Sequence, residues 1–484
     1  MKFDDILTEL GEFGPYQKRI YFLMCLAHSC IAMQILAGVF IQATPEHRCA
    51  IPDLPNDSFA SQGHWHDALV NASIPWASGD QTFDQCKLLD IPDGRHNETV
   101  PCEKWVYDKQ SFKRTFVTAA DLVCNKRKLV TYASMVLMGG MLIGSLVLGI
   151  LADTLGRRKI LVLSTLGHFT ASLCVPWTRN YTMFVIIRFF VSFFGTGMFL
   201  SAFVMGMELV GPNWRKFAGN AMNLFWSIGL LIEAGLAYML RDWVYLQIAI
   251  SVPLLPVFFC YFAFIQESPR WLLQQGRLDE ASKVLENVAK KNGVVVPETI
   301  KNLQDVVQEK AEKNLWHLFT STTLLIRSLI IFLNWMVSSM IFYGLSLNSG
   351  DLSGNIYVNF VLMATAELVS FLFALLVMDI TGRKMLHCYS MVVGGVACLA
   401  TMFPVMYGGN DVNWLTTALS LVGKFGSTVG FAVIYVYAAE LFPTVLRNSI
   451  IGICSVCARI GGILAPFIGD MIKFGGKTQV LKNT

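Results

Sequence analysis

The sequence predicts an all-α integral membrane protein made of two similar six-helix halves, and three observations support this. Of its 484 residues, 54% are hydrophobic and only 15% are charged, whereas a soluble domain carries about 25% charged residues. About eleven apolar stretches are long enough to cross a bilayer, and polar motifs recur between the two halves. These stretches are too long and continuous for β-barrel strands, which alternate over about 10 residues.

Each predicted span is a continuous apolar run with the length of a membrane helix. The runs lie at 19–43, 129–150, 160–177, 182–210, 217–240, 244–265, 326–347, 355–379, 385–406, 412–437 and 449–470. The first run follows an acidic segment rather than a short basic one, which argues against a cleaved signal peptide. A net charge of only +4 argues against nucleic-acid binding.

Lysine and arginine concentrate in every second connection, and this bias predicts the orientation of the chain. We expect the N-terminus to be cytoplasmic. The predicted organisation is a cytoplasmic N-terminus (1–18), a first half (19–265) with an extracellular loop (44–128), a cytoplasmic linker (266–325), a second half of five spans (326–470) and a polar tail (471–484). Within the linker, apolar residues at helical spacing predict an amphipathic helix, at Leu278, Ala281, Val284, Leu285 and Val288.

The extracellular loop carries the features of an oxidising compartment. It contains four cysteines (Cys49, Cys86, Cys102 and Cys124) and three glycosylation sequons (Asn56, Asn71 and Asn97). An even number of cysteines predicts two disulfides, for which three connectivities are possible.

Two charged motifs recur at nearly the same offset, which indicates a duplication. The turn Asp153-Thr-Leu-Gly156-Arg157-Arg158 after span 2 recurs as Asp379-Ile-Thr-Gly382-Arg383 after span 8. Glu208 and Arg215 after span 4 recur as Glu440 and Arg447 after span 10. Parallel six-span repeats are typical of transporters with a substrate site between the halves. We expect the motifs to form ion pairs whose breaking lets the halves rock.

The repeat also predicts a twelfth span after the eleventh, where this chain has the polar tail instead. The chain is therefore expected to have about eleven spans. A shortened variant that does not itself transport is one alternative interpretation.

Several motifs identify a family. Glu267-Ser-Pro-Arg270-Trp-Leu, together with the two turn motifs, resembles the major facilitator superfamily, and the cysteine-bearing loop resembles that of the organic ion transporter family. Four segments are similar to the organic cation/carnitine branch of that family: Thr44–Cys49, Gly423–Gly426, Tyr435–Tyr437 and Glu440–Thr444. The loop departs from many relatives, which have six cysteines. The resemblance implies a plasma-membrane transporter of small organic cations or zwitterions that works by alternating access.

Charged residues inside spans are costly and are treated as functional candidates. They are Arg188, Glu233, Glu367, Lys424 and Arg459. By the resemblance, arginine at the position of Arg459 is typical of carnitine and organic anion members, where cation members have aspartate. Glu367 would face an ammonium group, and Lys424 would contact an anion or pair with Glu367. An acid and a base in one cavity suit a carnitine-like zwitterion, and transport of organic anions is the alternative.

Aromatic side chains are expected to complete the site, because their faces attract quaternary ammonium groups. By the resemblance, the cavity residues are Phe199, Trp226, Phe342 and Tyr357, with Asn223 and Tyr343 beside them. No Walker loop for ATP occurs. We expect no catalytic residue, metal site or cofactor, and coupling to Na⁺, used by some relatives, is left open.

Overall fold

In the computed structural model, the described residues are 3–52, 54–76, 83–89, 99–297, 300, 322–352, 354–407, 412–442 and 450–467. Eleven helices among them are long and apolar enough to cross a membrane, which confirms the predicted number. They are Pro15–Ile41, Cys124–Leu155, Arg157–Trp177, Tyr181–Leu209, Pro212–Leu240, Trp243–Phe264, Thr322–Gly350, Ile356–Thr381, Arg383–Val405, Asn413–Ala438 and Ile450–Phe467, named spans 1 to 11 in this order. Helices satisfy their backbone hydrogen bonds internally, as lipid requires.

Three spans are interrupted among the described residues. One is span 9, which consists of the helices Arg383–Ala400 and Met402–Tyr407. Span 1 consists of the helices Pro15–Leu36 and Gly38–Ile41, and span 6 consists of Trp243–Ser251 and Leu254–Phe264. The break in span 6 falls at Pro253, which has no N–H to donate to the helix. We call the end of the bundle that carries residues 44–123 the loop end, and the end that carries Gly156 and Gly382 the turn end.

The two halves repeat the same helix packing. Span 4 packs against spans 1, 2 and 3, and span 10 packs against spans 7, 8 and 9. Close approach depends on glycine in both halves: a Cβ at Gly144 of span 2 would lie 2.5 Å from the Phe193 carbonyl oxygen, and one at Gly426 of span 10 would lie 2.6 Å from that of Ser390. The two copies of the sequence motifs therefore lie on helices that pack in the same way in both halves.

The halves meet along spans 5 and 8, which contact each other at both ends. At the turn end, Lys216 of span 5 forms an ion pair with Asp379 of span 8. At the loop end, the rings of Tyr238 and Tyr357 are 5.5 Å apart.

The loop segment folds as a small cross-linked unit. Strand β1 (His47–Cys49) pairs antiparallel with β4 (Trp105–Tyr107), and β2 (Lys87–Leu89) pairs with β3 (Thr99–Pro101). Two short helices, His64–Ser73 and Phe116–Ala120, accompany the strands. Of the three possible connectivities, the structure has the disulfides Cys49–Cys102 and Cys86–Cys124. Asn56 and Asn71 are exposed, and Asn97 lies outside the described residues.

Short polar helices cover the turn end. Helices Pro269–Gln274 and Leu278–Asn292 follow span 6, and Ala281, Leu285 and Val288 of the second are buried, as the amphipathic pattern predicts. The helix Phe3–Glu9 packs beside them, with Ile6 buried. Most of the linker after residue 297, together with Arg447 and the tail 471–484, lies outside the described residues.

Candidate substrate-binding site

A buried ion pair joins spans 8 and 10 inside the second half. The Lys424 Nζ atom lies 2.7 Å from Glu367 Oε2 and donates a 2.7 Å hydrogen bond to Ser346 Oγ. It also lies 3.5 Å from the centre of the Phe342 ring, and the side chains of Lys424 and Glu367 are each only 1% exposed. The sequence left two roles open for Lys424, and in the structure it pairs with Glu367.

In this arrangement the buried charge of Lys424 has more partners than the buried charge of Glu367. Three groups surround the ammonium: a carboxylate, a hydroxyl and an aromatic face. The second carboxylate oxygen, Glu367 Oε1, is buried and has no hydrogen-bond partner among the described residues. Buried polar groups normally have partners, so Oε1 is an open acceptor in this site.

Arg459 of span 11 is connected to this pair through Tyr343 and Phe342, and it has no carboxylate partner among the described residues. Its Nη1 donates to the Tyr343 hydroxyl at 3.3 Å, and its Nε is buried with no partner in the described part of the chain. Gly462, one turn further along span 11, faces both Tyr343 and Met138 of span 2. With one carboxylate for two cations, Glu367, Lys424 and Arg459 leave one net positive charge.

Aromatic rings cover the charged groups of the second half. Phe342 stacks on Phe431 at 5.4 Å and meets Tyr343 edge-on at 5.3 Å. Tyr435 lies 4.2 Å from the ring of Trp335. The structure thus brings the predicted residues Phe342, Tyr343, Glu367, Lys424 and Arg459 into one cluster, which we call the span 7–11 cluster.

The predicted residues of the first half form a second group. Trp226 is buried, its Nε1 has no partner among the described residues, and its ring lies 6.3 Å from Phe199. Phe199 also contacts His28 at 4.6 Å. Asn223, half-buried on the preceding turn, donates to the Gly219 carbonyl oxygen. Trp226, Phe342 and Tyr343 belong to one continuous apolar core that crosses the boundary between the halves.

Tyr357 lies elsewhere. It occupies the first turn of the helix Ile356–Thr381, roughly 15 Å along that helix from Glu367. Its hydroxyl donates to the Ser111 carbonyl oxygen at 2.8 Å, and its ring stacks on Phe40 at 5.7 Å. The structure therefore places Tyr357 at the loop-end junction of the two halves, apart from the span 7–11 cluster.

A cavity of about 540 Å³ opens between the halves at the loop end. The residues around it come from spans 1, 2, 7, 8 and 11 and from the loop, and include Gly38, Gln42, Ser134, Asn348 and Pro466. None of the residues predicted for substrate binding lines it. The cavity therefore lies at the loop end, apart from the residues predicted for substrate binding, and we call it the loop-end vestibule.

At the turn end, the motif of the first half forms a compact ion-pair network. Arg157 pairs with Glu208, and its Nη2 lies 3.6 Å from Asp153. Glu267 accepts hydrogen bonds from the backbone N–H groups of Arg157 and Arg158, both at 3.0 Å. Gly156 has φ 111°, a conformation that favours glycine and allows the tight turn between spans 2 and 3.

The second half repeats this geometry. Arg383 lies 3.3 Å from Asp379 and 3.1 Å from Glu440, and Gly382 has φ 80°. Arg215 pairs instead with Asp4 of the N-terminal helix, at 2.5 Å. Arg270, half-buried, lies in the helix Pro269–Gln274 that follows span 6.

Three residues of these networks escaped sequence reasoning. Ser346 accepts from Lys424, Lys216 connects the halves through Asp379, and Ser268 donates to Glu208 at 2.6 Å. Serine in a span carries no signal, because many span serines only bond their own helix. Of the three, only Lys216 could have been suggested from the sequence, because it is a cation next to Arg215 in a duplicated motif.

Comparison with known proteins agrees with this architecture. A family model described as "Sugar (and other) transporter" matches residues 97–476. The organic cation transporter protein of Drosophila melanogaster is 38% identical, over 97% of this chain and 86% of that protein. Human organic cation/carnitine transporter 2 is 32% identical, over 96% of this chain and 86% of that protein.

The chain belongs to the organic cation/carnitine branch of the organic ion transporter family, within the major facilitator superfamily. Members of this family are membrane transporters, so the chain is not an enzyme, as the sequence predicts. Among solved structures, the xylose transporter XylE from E. coli in a partially occluded inward open conformation has a TM-score of 0.57 at 12% identity, over 96% of this chain and 99% of that one. That likeness confirms the major facilitator fold.

Proposed function

We propose that this transporter moves small zwitterions that combine a quaternary ammonium with a carboxylate, such as carnitine, across the plasma membrane. The observation that carries the proposal is the net positive charge of the span 7–11 cluster, in which Lys424 holds Glu367 and Arg459 has no carboxylate partner among the described residues. A purely cationic substrate would meet an acid that is already paired.

In this proposal Arg459 binds the carboxylate of the substrate. A guanidinium presents parallel N–H donors that match both oxygens of a carboxylate, and such charge-assisted bonds are roughly twice as strong as neutral ones. The half-buried position of Arg459 and its unpartnered Nε leave donors free for a ligand.

The ammonium group of the substrate would be bound by aromatic faces and by one carboxylate oxygen. Trp226 and Tyr343 belong to the core that crosses the two halves, and aromatic faces attract quaternary ammonium groups. Glu367 Oε1, which has no hydrogen-bond partner among the described residues, would add negative charge at this end of the site. The relatives named organic cation transporter and organic cation/carnitine transporter support a substrate of this class.

Alternating access between the two halves is the proposed mechanism. The loop end would face the extracellular medium and the turn end, with the N-terminus, the cytoplasm. The loop-end vestibule admits substrate from outside. On the other side, the Asp153–Arg157–Glu208 and Asp379–Arg383–Glu440 networks and the Lys216–Asp379 pair would break and re-form as the halves rock.

The test is uptake of three radiolabelled probes into cells that express the chain: carnitine, tetraethylammonium and p-aminohippurate. We expect carnitine to enter above the background of untransfected cells. If tetraethylammonium enters the cells and carnitine does not, the proposal of zwitterion transport is wrong.

Organic anion transport is the second candidate, because one net positive charge also suits a monoanion. Under that alternative p-aminohippurate enters and carnitine does not. The same panel therefore separates the two candidates.

A further inference from the structure

A second buried acid lies in the first half, away from the span 7–11 cluster. Glu233 of span 5 is fully buried, and both of its carboxyl oxygens are without a hydrogen-bond partner among the described residues. Gly229, one turn earlier on the same face, packs so closely on span 1 that a Cβ there would lie 2.5 Å from the Ser29 carbonyl oxygen. Glu233 therefore points into the first half rather than toward span 8.

Arg188 is the counter-charge of this acid. It is also buried, on span 4, which packs against span 5. Each residue lies seven positions from the loop end of its helix, and thus at the same depth of about 10 Å. The only hydrogen bond recorded for Arg188 in the described structure is a long one, 3.4 Å from Nη1 to the Gln34 carbonyl oxygen.

The side chain of Gln34, whose carbonyl oxygen accepts from Arg188, bonds to other polar side chains. Gln247 donates to Gln34 Oε1 at 2.8 Å, and Gln34 donates to Ser251 Oγ at 3.2 Å. The other helices that pack against span 5 also carry titratable groups, but these lie at other depths than Glu233 or have other partners. These groups are Tyr21, Cys25, His28 and Cys30 on span 1, Glu208 on span 4, Tyr245 on span 6, and Tyr357, Glu367 and Asp379 on span 8. Arg188 is the buried cation at the depth of Glu233 on a helix that packs against span 5.

The loop-end vestibule comes close to Arg188. Gly38 and Gln42 line the vestibule. A Cβ at Gly38 would lie 3.3 Å from Arg188 Nη2 and 3.2 Å from Gln42 Oε1. Only the backbone of one glycine therefore separates the vestibule from the guanidinium.

The surroundings of this buried acid favour opposite protonation states. An ionised carboxylate without hydrogen bonds is costly in an apolar interior, and a neutral acid avoids that cost. The adjacent guanidinium favours the ionised form. A structural ion pair would bring the two charged groups together, as in Lys424 and Glu367. No ion pair with a nitrogen–oxygen distance within 4.0 Å joins Arg188 and Glu233 in the described structure.

We propose that Glu233 is a proton-binding site of this transporter, with Arg188 as its counter-charge and the loop-end vestibule as its water access. A proton from vestibule water forms an O–H bond on the Glu233 carboxylate, and that bond breaks when the proton is returned to water, so that no other reactant is needed. Protonation removes the negative charge that faces Arg188. We infer that substrate movement is linked to this proton, and that step of the proposal rests on the proposed function.

The proton site is tested on the purified full chain in lipid nanodiscs, without any substrate. Infrared difference spectra between mildly acidic and mildly alkaline buffer should contain a carboxylic-acid C=O band that Glu233→Gln loses and that Glu233→Asp shifts. Glu367→Gln, which alters a carboxylate held by lysine, should leave the band in place. A difference spectrum that is the same in wild type and Glu233→Gln would overturn the proposal.

The coupling is tested by uptake of labelled carnitine at two external pH values, in sodium-containing and sodium-free medium. We expect wild-type uptake to change with external pH and Glu233→Gln to lose that change. Uptake that depends on Na⁺ and ignores pH would overturn the coupling. Absence of carnitine uptake by the wild type would count against the proposed function, and the infrared titration would still decide whether Glu233 binds a proton.

Discussion

The Lys424–Glu367 pair shows why single charges inside a membrane protein should be judged with their neighbours. The sequence identifies both residues, because charge within an apolar run stands out. It does not predict Ser346 as the third partner, since a serine hydroxyl in a span has many equivalent acceptors. It also does not predict that Tyr357 lies at the junction of the halves, because this position depends on helix packing and on the loop carbonyl of Ser111.

Removal of Lys424 alone should destabilise the protein more than removal of the pair. Lys424→Met leaves the buried carboxylate of Glu367 uncompensated, which costs about 3–5 kcal/mol, whereas replacing both partners with apolar groups is often neutral. The measurement is the apparent melting temperature in detergent of Lys424→Met, Lys424→Met/Glu367→Met and the exposed control Lys283→Met. A double variant less stable than the single one would contradict the pairing.

The loop unit should weaken at acidic pH because of Asp57. Burial alone would raise the pKa of Asp57, but hydrogen bonds from Arg48, the Ile51 N–H and His66, with the Arg48 charge, outweigh it and hold the pKa below its usual range. Asp57 therefore stabilises the fold above the unfolded value of about 3.9, and this contribution is lost as the pH falls through the folded pKa.

Hydrogen exchange of the segment 47–74 as a function of pH measures this effect. Asp57→Asn should exchange faster than wild type at neutral pH and lose part of the acid dependence, and the exposed Asp67→Asn should behave like wild type. Equal exchange in Asp57→Asn and wild type at neutral pH would show that the Arg48–Asp57–His66 contacts do not stabilise the loop.

At the scale of helices, the close contact between spans 2 and 4 depends on glycine, which has no side chain. Gly144→Ala places a Cβ 2.5 Å from the Phe193 carbonyl oxygen, so the two spans must separate. Gly149 on the same span has open space around it, and alanine there should be neutral or slightly stabilising, because alanine is the better helix former. We expect Gly144→Ala to lower the melting temperature and Gly149→Ala to preserve it, and the reverse order would refute this packing.

The spans themselves are predicted well by the sequence, and the reason is physical. An apolar run of about 20 residues has one solution in lipid, a helix, so hydropathy is sufficient. The breaks at Ala37 and Pro253 were not predicted, because tertiary contacts decide whether a membrane helix bends or continues. The disulfide connectivity was likewise undetermined, because it depends on which strands of the loop pair.

For the whole molecule, the Lys216–Asp379 pair is the clearest ionic connection between the halves at the turn end. Lys216→Glu should reduce transport, because two like charges then face each other where the halves must close. Lys216→Glu/Asp379→Lys should recover part of the loss, and Lys159→Glu, exposed at the same end, is the matched control. The measurement is the initial rate of carnitine uptake normalised to surface expression, and a double variant with no recovery would exclude the pair from the cycle.

The duplication of the motifs correctly predicts the duplicated geometry of the two turn-end networks, because the same residues on the same packing make the same contacts. It could not predict where the two copies differ. The charged cluster of the second half pairs lysine with glutamate in contact, whereas Arg188 and Glu233 of the first half stand apart. These differences assign the halves different tasks in our proposals, substrate recognition in the second and proton binding in the first.

The role of Arg459 is tested most directly by comparing two probes that differ in a carboxylate. The affinity for carnitine should fall by roughly 10- to 150-fold in Arg459→Ala, the loss of a hydrogen bond to a charged group worth about 1.5–3 kcal/mol. The apparent affinity for tetraethylammonium as an inhibitor should not fall, since it has no carboxylate, and Arg277→Ala on the exposed linker helix should leave both unchanged. Equal losses for both probes, or full carnitine affinity without Arg459, would contradict the zwitterion site.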